Sequence, residues 1–217
     1  EAQSMQSIVR VRKGPAFAVT GPQSYTINPA HLDNFERLFS ELFDAKNAPT
    51  QLVFLWPYDS LSSSLSLIER YKKQQSENFW ALFNLAKVLG ELEHSLTLSV
   101  VSSGLHAFGG SASYPEKSLL LGPTLVIPHE YAHIHTRSID ISAEVKVNGP
   151  LLKQFVSELN AEIDEDKHSR IIALRGRERW LRTVSPAVLD EQCIDTAWLK
   201  EGANVLITGG LGGIGLS

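Results

Sequence analysis

The sequence predicts an α/β fold, a mostly parallel β-sheet with helices on both faces and a β-hairpin in front of it. Three observations carry this expectation. Short apolar runs of β type recur at "QLVFLW" (51–56), "LTLSVVSS" (96–103), "HIHTRSIDI" (133–141) and "SRIIAL" (169–174). Helix-patterned segments separate them, and strands that alternate with helices join most simply as βαβ units. The composition, 43% hydrophobic and 20% charged over 217 residues, is that of a globular chain able to bury a sizeable core.

Each element has a local cause. "SIVRVR" and "AFAVT" are split by Lys13-Gly14-Pro15, the composition of a turn, and so make the expected hairpin. In "INPAHLDNFERLFSELF" Asn28 is placed to cap, Pro29 takes the first helical position, and Leu32, Phe35, Leu38, Phe39, Leu42 and Phe43 recur at three-four spacing. "QLVFLW", ended by Pro57, reads as a buried strand. The next helix lies in "SENFWALFNLAKVLGELEH". Its apolar residues Phe79, Leu82, Phe83, Ala86, Leu89 and Leu92 face the core, so the aromatics of "FWALF" pack rather than form a ligand cage. After a Gly/Ser/Pro-rich loop, a shorter helix is expected near 117–125, and another opens at Gly149-Pro150. "RGRERWLRTV" turns at Gly176 and returns as an antiparallel edge strand, and the irregular "SPAVLDEQCIDTAWLKEGA" marks a boundary.

Several function classes are set aside by composition. A formal charge of −4 gives no electrostatic reason for a nucleic-acid partner. The lone Cys193 can form neither an internal disulfide nor a thiolate zinc site, which fits a reducing compartment, the cytoplasm by default. Apolar stretches such as "SLLLGPTLVI" fall short of the roughly 20 residues that span a bilayer, so no membrane partner is expected. The chain begins at Glu1 and stops at Ser217 within a glycine-rich apolar run, and is read as a piece of a longer polypeptide.

His129-Glu130-x-x-His133 spells the zinc-binding pattern of metallopeptidases, which requires both His on one face of a helix. Context weighs against it: Pro128 precedes the motif, and the residues after His133 alternate with period two, so the helix would end where its second ligand begins. Glu144 or Glu158 would be the third ligand of such a site. The cluster Arg170, Arg175, Arg177, Arg179 and Arg182 reads as a solvated edge rather than a phosphate site, because Glu158, Glu162, Asp164, Glu165 and Asp166 balance it. Asp59 follows the end of an expected parallel strand, where open α/β sheets bind ligands, but has no partner motif.

The tail "ANVLITGGLGGIGLS" joins a β run, Val205 to Ile207, to Thr208-Gly209-Gly210-Leu211-Gly212-Gly213-Ile214-Gly215. It satisfies G-x-G-x-x-G at Gly210, Gly212 and Gly215 and also T-G-x-x-x-G-x-G. Glycines in this place allow a tight turn and close approach of backbone N–H groups to a pyrophosphate, aided by the helix N-terminus that follows such loops.

Four stretches, "QLVFLWPYD", "LLLGPTLVIPHEYAHIHTRSIDI", "SRIIALRGRERWLRTVSP" and "LKEGANVLITGGLGGIGLS", together make the chain resemble a ketoreductase domain of a type I modular polyketide synthase. The likeness covers the structural half of such a domain and the start of its catalytic half. It implies a truncated Rossmann-like subdomain over 1–184, a linker over 185–202, and the first strand and glycine loop of the NADPH-binding subdomain over 203–217. Members similar to this chain carry a P-x-E-Y connection without metal at the place of Pro128 to Tyr131, which makes His133 an incidental substitution.

The resemblance further implies a division of labour. The first half binds no cofactor and braces the second, which uses NADPH to reduce β-ketoacyl chains carried on an acyl carrier protein. The family's Tyr, Ser and Lys act after the glycine loop, so no catalytic residue is assigned in this chain. Thr208, Gly209, Gly210, Leu211, Gly212, Gly213, Ile214 and Gly215 carry over as the cofactor loop. The chain alone is expected neither to bind NADPH nor to reduce anything. Its partners would be the catalytic subdomain in the same polypeptide, the carrier protein and neighbouring synthase domains. A pseudo-ketoreductase that only organises its neighbours is the alternative.

Overall fold

The computed structural model describes residues 8–44, 48–58, 64–107, 114–142, 149–163, 170–187 and 201–213. Asp59, Glu144, Asp164, Glu165, Asp166 and Cys193, named above, lie outside them. The chain divides into two compact units, Glu1–Thr183 and Val184–Ser217.

The first unit opens with three short strands, β1 (Arg10–Lys13), β2 (Ala18–Gly21) and β3 (Ser24–Ile27), in the order β1-β3-β2. The expected hairpin between the first two strands is therefore corrected. β3 lies between them, parallel to β1 and antiparallel to β2. The tight turn is Pro22-Gln23, where Pro22 presets its φ and Gln23 takes a left-handed φ of 53°. The Gly14–Phe17 segment is a crossover instead.

Helix α1 (Leu32–Asp44) begins later than the pattern indicated. Asn28 turns its side-chain oxygen to the Ala30 N–H at 3.1 Å, and its own N–H is held by Asn34 Oδ1 at 3.1 Å, so Asn28-Pro29-Ala30 make a turn before the helix. Phe35, Leu38, Phe39 and Leu42 are buried as their spacing requires.

The main sheet follows, with strands β4 (Gln51–Phe54), β5 (Leu96–Ser103), β6 (Ile134–Ile141), β7 (Ile171–Arg175) and β8 (Glu178–Leu181) in that order. β4 through β7 are parallel, and β8 returns antiparallel across the two-residue turn Gly176-Arg177, with Gly176 at φ 64°. β4 is an edge strand, which leaves Gln51 exposed rather than buried on both faces.

Between β4 and β5 run α2 (Leu67–Gln74), a π-helical turn (Gln75–Phe79) and α3 (Trp80–Gly90). α2 starts at a capping box, Ser66 with Glu69, a sequence signal absent from the reading above. Lys13 reaches from β1 to Glu77 and Asn78 at 3.2 Å each, tying the small sheet to the π turn. The core face of α3 is Ala81, Leu82, Leu85, Ala86, Val88 and Leu89. Trp80 and Phe83 are exposed and meet edge to face, against the core packing expected of "FWALF".

A 3-10 turn (Pro115–Leu120) leads into α4 (Leu121–Glu130), and α5 (Gly149–Asn160) precedes β7. Side-chain alternation sorts the layers. Leu96, Leu98, Val100 and Ile134 join the core cluster of α1 and α3, and Thr136 donates to the Thr124 carbonyl of α4. Val101, Ile139, Ile141, Ile172 and Leu174 pack on the opposite face with Leu151 and Phe155 of α5. The sheet is thus covered on both faces, as buried parallel sheets are.

Candidate functional site

In the second unit, residues 203–207 form no regular secondary structure, and Leu206 is 91% exposed. The strand expected at Val205–Ile207 is not formed, because a strand needs a neighbour to receive its N–H and C=O groups, and none among the described residues does so. Thr208 to Leu211 are turned, with Gly209 at a left-handed φ of 76° and the Gly212 N–H on the Gly209 carbonyl at 2.9 Å. A Cβ on Gly212 would stand 3.2 Å from that carbonyl, and one on Gly210 would stand 3.3 Å from the Ile207 side chain. The turn therefore uses its glycines for both conformation and space. Ile214 and Gly215 lie outside the described residues.

In the first unit the place to examine is the carboxyl end of the parallel strands, where open α/β sheets bind ligands. That place is filled by the chain's own side chains. Asp140, 0% exposed near the end of β6, accepts from Ser102 Oγ at 3.1 Å, Leu105 N–H at 2.8 Å, His106 N–H at 3.0 Å and Arg175 at 2.6 Å. Arg175 also donates to the carbonyls of Asp140 and Leu174 at 3.1 Å and of His106 at 2.8 Å. Beside them Lys117, fully buried, donates to Ser103 O and Oγ at 2.8 Å each, and Ser103 Oγ donates to the Tyr58 carbonyl at 2.8 Å. Arg70 faces the buried Glu116 at 2.9 Å. Among the described residues Asp140, Arg175, Lys117 and Ser103 are engaged with one another or with the backbone, while His106 Nε2 is buried with no hydrogen-bond partner.

His106 gives this cluster a pH signature. Burial of its ring lowers its pKa from the ordinary 6.5, Asp140 opposes the shift, and Arg175 and Arg182 add to it. A base with a depressed folded pKa binds its proton more readily when unfolded, so stability is full above pH 6.5 and is lost as the pH falls from there through the folded value. Urea midpoints at neutral pH and near pH 5 should show this loss, and His106→Gln should have a shallower decline over the same interval. Equal declines would assign the pH dependence to other groups.

On the opposite face Arg137, 3% exposed in the middle of β6, closes the end of α5. Its guanidinium donates to the carbonyls of Glu158, of Leu159 at 2.7 Å and of Ala161 at 2.9 Å, and Nε donates to Ser99 Oγ at 2.9 Å. These are helix-terminal acceptors, and a cation suits the negative end of the helix. Burial lowers the Arg137 pKa while Glu158 raises it. Arg179 pairs with the Glu158 carboxylate at 2.5 Å. The solvated-edge reading of the arginine cluster holds for the exposed Arg177, Arg179 and Arg182, with Glu158 balancing Arg179, and is corrected for Arg175, whose side chain is 10% exposed and pairs with Asp140.

The metallopeptidase spelling is divided by the fold. α4 ends at Glu130, Tyr131 is extended, and His133 lies past the helix with Nε2 3.1 Å from the Leu89 carbonyl. His129 and His133 share no helical face, Glu158 is engaged by Arg179, and among the described residues no group of three or more His, Cys, Asp or Glu converges. The Tyr131 ring lies against Gly90, where a Cβ would come within 2.2 Å of it, so the connection is packed in place.

The buried charged residues that organise the two faces of the sheet, Lys117, Arg137 and Asp140, are not singled out by the sequence. A signal existed: Arg137 and Asp140 interrupt an isoleucine-rich run that must become a central strand, and charges there require partners.

Comparison with known proteins bears on the family and the fold. Residues 1–158 match the family model described as "Beta-ketoacyl synthase-like, N-terminal". Over 117 residues the chain is 27% identical to phenolphthiocerol/phthiocerol polyketide synthase subunits C and D of Mycobacterium tuberculosis, a match covering 54% of this chain and 6% of each relative. Among solved structures it is similar to the multidomain structure "Adenylation, ketoreductase, and pseudo Asub" of a keto acid-selecting NRPS module. That match has a TM-score of 0.76 and 21% identity over 99% of this chain and 18% of that one. An N-terminal ketoreductase from the macrolactin assembly line gives a TM-score of 0.61 at 12% identity, covering 84% of this chain and 36% of that one. For A-type ketoreductases from a modular polyketide synthase the values are 0.54, 18%, 78% and 34%.

The fold is that of the ketoreductase domains of polyketide synthases and related assembly lines, a mixed α/β Rossmann-like fold. The chain belongs to the "Beta-ketoacyl synthase-like, N-terminal" family and spans a small fraction of the polyketide synthase subunits it matches.

Proposed function

We propose that residues 1–183 are the non-catalytic half of a synthase ketoreductase, bracing a nucleotide-binding half that begins within Val205–Gly215. One observation carries this reading: the strand-end crevice, the usual ligand site of such a sheet, is filled by the Asp140–Arg175 pair and the Lys117–Ser103 contacts. The family description names a synthase, but residues 1–158 contain no cysteine, so no thiolate is available there to hold an acyl group as a thioester.

The glycine turn supports the second half of the proposal. Thr208, Gly209, Gly210, Leu211, Gly212, Gly213, Ile214 and Gly215 would hold the pyrophosphate of NADPH through backbone N–H groups, in a turn that Gly209 can enter and that side chains at 210 and 212 would crowd. When bound, NADPH supplies the hydride for reduction of a ketone. This chain contributes the turn and the brace; the proton donor and the completing helix would come from the rest of the polypeptide. The carrier protein that presents the β-ketoacyl chain and the neighbouring synthase domains are the proposed partners, in the cytoplasm. No helix of the described residues is long and apolar enough to cross a membrane.

A second reading concerns the substrate. The TM-score of 0.76 over 99% of this chain belongs to a keto acid-selecting module, which favours including the thioester of a second keto acid in the test. The experiment is NADPH oxidation by the polypeptide extended by about one domain past Ser217, given thioester surrogates of a β-keto acid or of a second keto acid. Turnover with either is the expected result and identifies the substrate class. A folded extended protein that neither binds nor oxidises NADPH would make the role that of a pseudo-ketoreductase.

A further inference from the structure

We propose that the outer edge of β8 pairs with the same edge of a second copy of this chain, as an antiparallel ladder centred on Trp180. On its inner side β8 meets β7, with the Arg182 N–H on the Ile171 carbonyl at 3.1 Å. Hydrogen-bonding direction alternates along a strand, so Glu178, Trp180 and Arg182 turn their backbone groups toward β7, and those of Arg179 and Leu181 face outward. All four residues of β8 are exposed, with Trp180 at 48% and Leu181 at 40%. An edge with no ladder partner among the described residues is a template for another strand. The usual protection, a charge held over the edge, is weakened because Arg179 is drawn onto Glu158 of its own chain at 2.5 Å.

Self-complementarity selects the occupant. With Trp180 opposite its own copy, Arg179 lies opposite Leu181, the two residues whose outward N–H and C=O groups can exchange hydrogen bonds. In the same register Glu178 faces Arg182 twice, once at each end, and the two indoles meet at the centre, an arrangement that cross-strand pairing favours. Glu178 is already held on this face through one carboxylate oxygen, which accepts from Trp180 Nε1 at 3.1 Å. Centring the ladder on Arg179 would oppose two like charges, and centring it on Leu181 would lose both ion pairs. Only the Trp180 register satisfies backbone direction and charge together.

The test is sedimentation of the chain Glu1–Ser217 over a range of micromolar concentrations, with amide exchange read residue by residue. The expected result is a reversible dimer in which the Arg179 and Leu181 amides slow with concentration. Arg182→Glu and Glu178→Arg, each checked for native circular dichroism, should each raise the dimer dissociation constant by about tenfold or more. The double variant Glu178→Arg/Arg182→Glu should restore it. A chain that stays monomeric overturns the proposal. So does a dimer indifferent to both single charge reversals, since association would then run through another surface, such as the exposed Val205–Ile207 segment.

Discussion

Arg137→Met is expected to destabilise the first unit by about 3 kcal/mol or more, because buried acceptors lose a charged donor all at once. The substitution keeps an unbranched apolar stem in the space of the arginine but leaves the carbonyls of Glu158, Leu159 and Ala161 without its guanidinium. It also removes the cation from the negative end of α5 and the partner of Ser99 Oγ. Urea unfolding monitored by tryptophan fluorescence measures the loss, and amide exchange should rise first in the last turn of α5. Arg137→Lys keeps the charge but cannot present a planar fork to several carbonyls, and should recover about half of the lost stability. A loss below about 1 kcal/mol for the methionine variant would mean that α5 is held by Leu151 and Phe155 alone.

Asp140→Ala is expected to cost about 3–5 kcal/mol, because it removes the buried carboxylate that pairs with the Arg175 guanidinium. Arg175 has 10% of its side chain exposed and pairs with Asp140 at 2.6 Å, and the Leu105 and His106 amides lose their acceptor as well. The contrast is with Asp140→Leu/Arg175→Met, which removes both charges from the crevice and should lose much less than the sum of the single changes. Thermal unfolding of the set gives the coupling. Additive losses would show that the two side chains act separately, which contradicts a crevice closed by an internal ion pair.

Those two sites also show where the sequence was legible. The alternation of strands and helices announced the parallel sheet because Leu98, Val100, Ile139 and Ile172 are apolar for a reason of packing that periodicity records directly. Gly176 announced the β7–β8 return because a two-residue turn requires a left-handed residue. Contacts far apart in sequence were not legible. Nothing local says that Arg137 in a strand will meet the end of a helix some 20 residues later, or that Arg175 will meet Asp140 rather than solvent. The β1-β3-β2 order is not legible because Ser24–Ile27 is short and runs straight into the helix signal, although its β-branched and aromatic residues suit a strand. The exposed edge-to-face contact of Trp80 and Phe83 follows from how α3 packs, not from their spacing. At the candidate nucleotide loop, the glycine pattern was plain and its first strand was not realised, because a strand is a property of its neighbours.

The central claim is that this chain braces a reductase without itself binding the nucleotide. Calorimetric titration of NADPH into Glu1–Ser217 tests it most directly, with the polypeptide extended past the glycine loop as the positive comparison. The expected result is no measurable heat with the chain alone and saturable binding with the extended protein. Micromolar NADPH binding by the chain alone would contradict the claim and place a working nucleotide site in residues 1–217.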